Sequence, residues 1–116
     1  MNENTLAKKS DEFAYKVYLV TKTFPKEELF GITSQLRRAA LSVILNIIEG
    51  YARQNSKVYS QFLRISYGSL KESLYLIDFS HRQGYLTTQH FTELTNMGDE
   101  VAKMIWATLQ TLAKKS

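Results

Sequence analysis

The sequence predicts an all-α protein, an antiparallel up-down bundle of four helices, and three observations predict it. Apolar residues recur at helical spacing in four successive segments. Helix breakers are scarce, one Pro and five Gly, and they punctuate the chain where that periodicity changes register. The connections are short, which makes successive helices antiparallel neighbours. At 116 residues with 44% hydrophobic residues, the chain has the size of one domain spanning residues 1–116 and can bury a core.

The first helix is expected over about residues 5–24, where Leu6, Phe13, Ala14, Val17, Val20, Thr21 and Phe24 fall within one arc at 100° per residue. Pro25 stops it. After the connection FPKEELFG, with room for a short helical turn, a second helix is expected over about 32–54, with Leu36, Ala39, Ala40, Val43, Ile44, Ile47 and Tyr51 as its core stripe. Asn55 or Ser56 can cap a third helix over about 56–83, because either side chain accepts from the unpaired amides of the next turn. Its core face reads Tyr59, Phe62, Leu63, Ser66, Tyr67, Leu70, Leu74 and Ile77, and Gly84 suits the position after its end, where positive φ is needed. Thr87 caps the fourth helix, expected over about 88–113, with Phe91, Leu94, Val101, Ile105, Leu109 and Leu112 inward and Met97 and Met104 at the edge. Lys114 and Lys115 complement its negative C-terminal end.

The formal charge is +4, and the excess sits in the middle of the chain. Between Gly31 and Tyr85 seven bases face Glu49, Glu72 and Asp78, and all five arginines lie there. Lys57, Arg64 and Lys71 share one line of the third helix at seven-residue spacing, with Asp78 continuing it and Arg82 one turn later. Tyr67 and Tyr75 interleave with those cations. Surfaces that mix arginine with aromatic rings hold phosphate backbones and stack bases. The plainer reading of the same residues is the charged solvent face that any bundle helix needs. Arg53, Lys57, Arg64, Lys71 and Arg82 are the candidate phosphate contacts. Arg37 and Arg38, adjacent on the second helix, point about 100° apart and suit structural pairing, with Glu49 or with an acid of a neighbouring subunit.

The second helix carries more apolar surface than one bundle face needs. Leu41, Leu45, Ile48 and Ala52 lie about 120–180° from Leu36, outside the core stripe. Such a second stripe predicts a homo-oligomer interface. Ile65, Leu76 and Phe79 on the third helix and Leu19 on the first are smaller extras.

Enzyme chemistry finds no support in the residue pattern. Nothing groups a nucleophile with a base, a Gly-rich phosphate loop is missing, and Gly50 and Gly68 read as points of close helix approach. Asp78 and His81 make one D-x-x-H pair without the second copy that a bundle di-metal site requires, and His90 stands apart. No catalytic residue, metal, cofactor or small-molecule substrate is therefore expected. The chain has no Cys, Met1–Asp11 is polar, and no run of about 18 apolar residues occurs, so a cytoplasmic protein without a membrane span is expected.

The stretch TSQLRRAALSVILNIIEGYARQ, Thr33 to Gln54, resembles the most characteristic segment of the 23S rRNA intervening-sequence protein family, also called four-helix bundle proteins. FPKEELFG before it, YSQFLRISYGSLKE from Tyr59 to Glu72 and GYLT from Gly84 to Thr87 extend the likeness over nearly the whole chain. Many members have Pro where this chain has Ile44, so a kink there is not expected. The resemblance implies a bundle that assembles into a ring, typically a homopentamer, encoded in some bacteria within insertions in rRNA genes and without a well-defined activity. A related group, the accessory proteins of diversity-generating retroelements, is similar in fold and associated with nucleic acid. The functional expectation is a non-enzymatic, oligomeric bundle that contacts RNA or DNA without sequence specificity through the second and third helices. The alternative is an interaction or scaffold module with no nucleic-acid role.

Overall fold

The computed structural model describes residues 3–115, so Met1 and Asn2 of the N-terminal stretch read above, and Ser116, lie outside the described residues. Among the described residues four α-helices follow one another: α1 (Glu3–Thr21), α2 (Ile32–Ala52), α3 (Ser56–Arg82) and α4 (Thr88–Lys115), with a 3-10 turn at Lys26–Glu28. No strand occurs among the described residues. α2 packs on α1 and α3, and α4 packs on α3 and α1, closing a four-membered arrangement of 46 × 24 × 19 Å.

Side-chain partners set the directions. Lys9 meets Glu100 at 3.6 Å and Lys16 meets Glu93 at 3.5 Å, so α1 and α4 run in opposite senses. Ser42 shares a 2.8 Å hydrogen bond with Ser69, and the Ser66 hydroxyl donates to the Val43 carbonyl at 2.7 Å, which gives α2 and α3 the same antiparallel relation. The α2–α3 seam is built from small residues. Ser66, Ser73 and Ser80 are all buried at seven-residue spacing, and a Cβ on Gly50 would stand 2.5 Å from Phe62 Cβ. Small side chains let these two helices approach closely, and that approach shifts the buried arc of α3 towards α2. Leu76, read from the sequence as an extra outside the core, is buried for that reason. Phe62, Tyr67 and Leu74, read as core, are only half-buried.

The core otherwise follows the periodicity, with Leu6, Phe13, Leu36, Ile47, Leu63, Leu70, Ile77, Leu94 and Ile105 fully enclosed. Met104, expected at the edge, is buried. Tyr51 is a correction of another kind. Its angle is right, but it stands on the last turn of α2 beyond the layers that cover the core, and it is 54% exposed with its ring edge-on to Tyr59 at 5.7 Å. α2 is unbroken through Ile44, which is buried.

The termini of the helices show why the chain turns where it does. α1 ends at Thr21, three residues short of the expected Phe24. The residue before a proline avoids helical backbone, and Lys22 N–H and Phe24 N–H instead bond three residues back, to Leu19 and Thr21, as the chain tightens into the turn. Asn55 Oδ1 accepts from Val58 N–H at 3.0 Å, which resolves the cap of α3 in favour of Asn55. At the other end of α3, Gly84 has φ +82°, Tyr85 N–H bonds to the Ser80 carbonyl and Gly84 N–H to that of His81, the paired bonds of a Schellman motif. Thr87 Oγ1 accepts from His90 N–H at 3.1 Å and caps α4.

Candidate nucleic-acid interface and assembly face

α3 presents its cations on the side away from the core, and the register of α3 on α4 decides their company. Leu74 lies against Gly98, where a Cβ would stand 2.6 Å from Leu74 Cδ2. Two turns along α3, the same antiparallel pairing sets Tyr67 beside Trp106. Two open clefts adjoin there. One, of about 410 Å³, is lined by Tyr67, Lys71, Asp99, Ala102, Lys103 and Trp106. The other, of about 420 Å³, is lined by Arg64, Tyr67, Trp106, Leu109, Gln110 and Ala113. Trp106 is 57% exposed, and Lys71 Nζ stands 5.4 Å from the centre of the Tyr67 ring. The seam thus combines three cations, two aromatic rings and one acid.

The five cations read from the sequence do not form one cluster. Arg64 and Lys71 join the α3–α4 seam, and no ion pair engages either among the described residues. Arg53, at the end of α2, is held by Glu49 at 3.0 Å and lies over the Phe62 ring at 5.2 Å. Phe62 and Arg64 are two residues apart and so project about 200° apart around α3, which puts Arg53 on its α2 flank. Arg82 is bound by Asp78 at 3.0 Å, and that hydrogen bond and charge raise its pKa still further. Lys57 is exposed on the first turn of α3, about 37 Å from Arg82 along the axis at 1.5 Å per residue.

Sequence reasoning missed Lys103 and Trp106. Trp106 follows the core residue Ile105 and points 100° away from it, which marks it as leaving the core. Its partner Tyr67 emerges only from the pairing of two helices. Arg37 is structural, as the sequence suggests, but with partners other than Glu49: its Nε donates to Thr21 Oγ1 at 2.8 Å and its guanidinium covers the Tyr18 ring at 4.8 Å, so it ties α2 to α1 while Glu49 pairs with Arg53. His81 stacks on Phe91 at 4.3 Å and Asp78 holds Arg82, so the D-x-x-H pair is otherwise engaged. No group of three metal-ligating side chains occurs among the described residues. Gly68 corrects the reading of it as a close-approach residue, since nothing within 4 Å meets a Cβ built there.

A second surface lies on the α1–α2 side. Leu41, Leu45, Ile48 and Ala52 are all exposed, Leu45 at 57% and Ile48 at 54%. Leu41 shares a cleft with Ala14, Tyr15, Tyr18 and Leu19 of α1, which Asp11 and Lys22 also line, so the stripe continues onto the neighbouring helix as a mainly apolar face. No helix of the described residues is long and apolar enough to cross a membrane.

The family model described as 23S rRNA-intervening sequence protein matches residues 2–107. Among solved structures, a protein of unknown function from the S23 ribosomal protein family of Bacteroides thetaiotaomicron VPI-5482 aligns with a TM-score of 0.86 at 23% identity, covering 95% of this chain and 99% of that one. At that identity the likeness speaks for the fold alone. The curated proteins contain no match.

Proposed function

This chain belongs to the 23S rRNA-intervening sequence protein family, and on that footing we propose that it is a non-enzymatic, self-assembling bundle that binds RNA or DNA through the α3–α4 seam. The observation that carries the reading is the gathering of Arg64, Lys71 and Lys103 around the exposed Trp106 and the half-buried Tyr67. Cations without ion pairs attract a polyanion by releasing its counterions, and the rings offer contacts that every base can make. Of the other cations read from the sequence, Arg53 and Arg82 are each paired with an acid, which leaves Lys57 to add to the field of α3.

Self-assembly rests on the face formed by Leu41, Leu45, Ile48 and Ala52 with Tyr15, Tyr18 and Leu19. A ring, pentameric as the resemblance implies, would repeat the basic seam around an axis and strengthen the field of each copy. The same apolar face also favours a second reading, a cytoplasmic scaffold in which the basic seam is plain solvation.

Anisotropy of a labelled oligonucleotide tests the choice. Three phosphate contacts per subunit give a slope of log affinity on log salt of about −2 for a single strand. Arg64→Glu together with Lys71→Glu should remove most of the binding. Binding that is absent, or indifferent to salt, leaves the scaffold reading.

A further inference from the structure

The two clefts of the α3–α4 seam share a wall. Tyr67 and Trp106 line both, Lys71 and Lys103 stand beside one, and Arg64 stands beside the other. We infer that this seam is a stacking platform for single-stranded nucleic acid, with Trp106 between two bases, one in each cleft, and with Lys71, Lys103 and Arg64 on the flanking phosphates.

The inference rests on the nucleic-acid reading above and narrows it. A duplex turns its phosphates outward and keeps its base faces covered, so cations alone would serve it, and a tryptophan 57% exposed between them would add little. A single strand has free base faces, and an indole accepts any of them. Each cleft has a volume in the general range of small-molecule sites, roughly 300–1,000 Å³. Arg64 and Lys71 are seven residues apart, about 10 Å along the helix, so they can reach phosphates on either side of a stacked base. Gly68 lies between them on the outer face of α3, with no packed side chain or neighbouring element within 4 Å of the position its Cβ would occupy, so a strand can run close to the helix backbone. Charge separates this seam from the apolar α1–α2 face: three cations against the single acid Asp99 suit a polyanion better than a second copy of a basic chain.

Trp106 is the sole tryptophan of the chain, so its fluorescence reports the site directly. Intact protein is titrated with a short oligo(dT), a short oligo(U) and a duplex of matched length, with fluorescence and probe anisotropy read together. Both single strands should quench Trp106 in step with the anisotropy. Trp106→Ala should weaken single-strand binding about tenfold or more, by far more than it weakens duplex binding, and be partly restored by Trp106→Phe. Tighter binding of oligo(U) or of oligo(dT) supports the platform equally and identifies RNA or DNA as its strand. Anisotropy that rises without quenching, or equal losses on strand and duplex in Trp106→Ala, overturns the platform while leaving the basic surface standing. Absence of any anisotropy change overturns both. A fall in assembled mass by light scattering in Trp106→Ala also overturns it, because the seam would then be a subunit interface.

Discussion

Tyr85 donates its phenolic hydrogen to Glu28 Oε2 at 2.9 Å, across 57 residues of sequence. The same carboxylate accepts from Ile32 N–H at 3.3 Å through Oε1, at the start of α2. One acid therefore joins the α1–α2 connection to the α3–α4 connection, and Phe24 closes the junction with its ring 5.6 Å from that of Tyr85. The hydrogen bond to Glu28, then burial, then the charges of Glu28 and Glu27 push the Tyr85 pKa up. A group whose folded pKa is raised contributes stability that is complete below its unfolded value near 10 and is lost as pH climbs through the folded value. Tyr85→Phe should lower the melting temperature at neutral pH, and the gap to wild type should close above about pH 10. Paired thermal melts at neutral and alkaline pH read this directly, and a gap constant with pH would disprove the linkage.

The glycines separate by what surrounds them. Gly50→Ala places a methyl group 2.5 Å from Phe62 Cβ, an atom fixed to the α3 backbone, and overpacking of about 1–3 kcal/mol should exceed the helix-propensity gain of about 1 kcal/mol. Gly98→Ala meets the mobile end of Leu74 and should cost less. Gly68→Ala meets nothing and should stabilise by about 1 kcal/mol. Urea denaturation of the three variants checks the order.

Gln54, just beyond α2, has φ +52°. A side chain in that left-handed conformation costs roughly 1–2 kcal/mol, part of which glycine recovers before its own entropy is counted. Gln54→Gly should therefore raise stability by up to about 1 kcal/mol in the same denaturation assay, and a loss would show that Gln54 makes compensating contacts.

Leu45→Asp with Ile48→Asp places charge on two exposed positions of the α1–α2 face, so the folded subunit should keep its helical circular dichroism. Its mass by light scattering should fall to that of one chain. A wild-type mass of one chain at micromolar concentration would end the assembly reading at once.

The four helices were legible in the sequence because each is a local pattern. Leu36 to Ile47 repeat at helical spacing, Pro25 and Gly84 forbid continuation, and Asn55 and Thr87 supply side-chain oxygens at the starts of α3 and α4. The exposed stripe of Leu41, Leu45 and Ile48 was legible for the same reason, since its angle to Leu36 is fixed by one helix alone. Tyr51 was misread because periodicity gives an angle and does not say where the bundle ends. The site was less legible still. Lys57, Arg64, Lys71 and Arg82 share a face on α3, yet which of them stands beside an aromatic ring of another helix depends on how α3 and α4 slide past each other. That register is set by the close approach at Gly98 and Leu74, a relation between distant residues that no spacing along one helix contains. The sequence by itself determined the helices, their ends and their apolar faces, because those follow from interactions a few residues apart. Only the tertiary structure decided that Trp106 and Tyr67 share two clefts with Lys71, Lys103 and Arg64, because that depends on how two helices far apart in sequence pair.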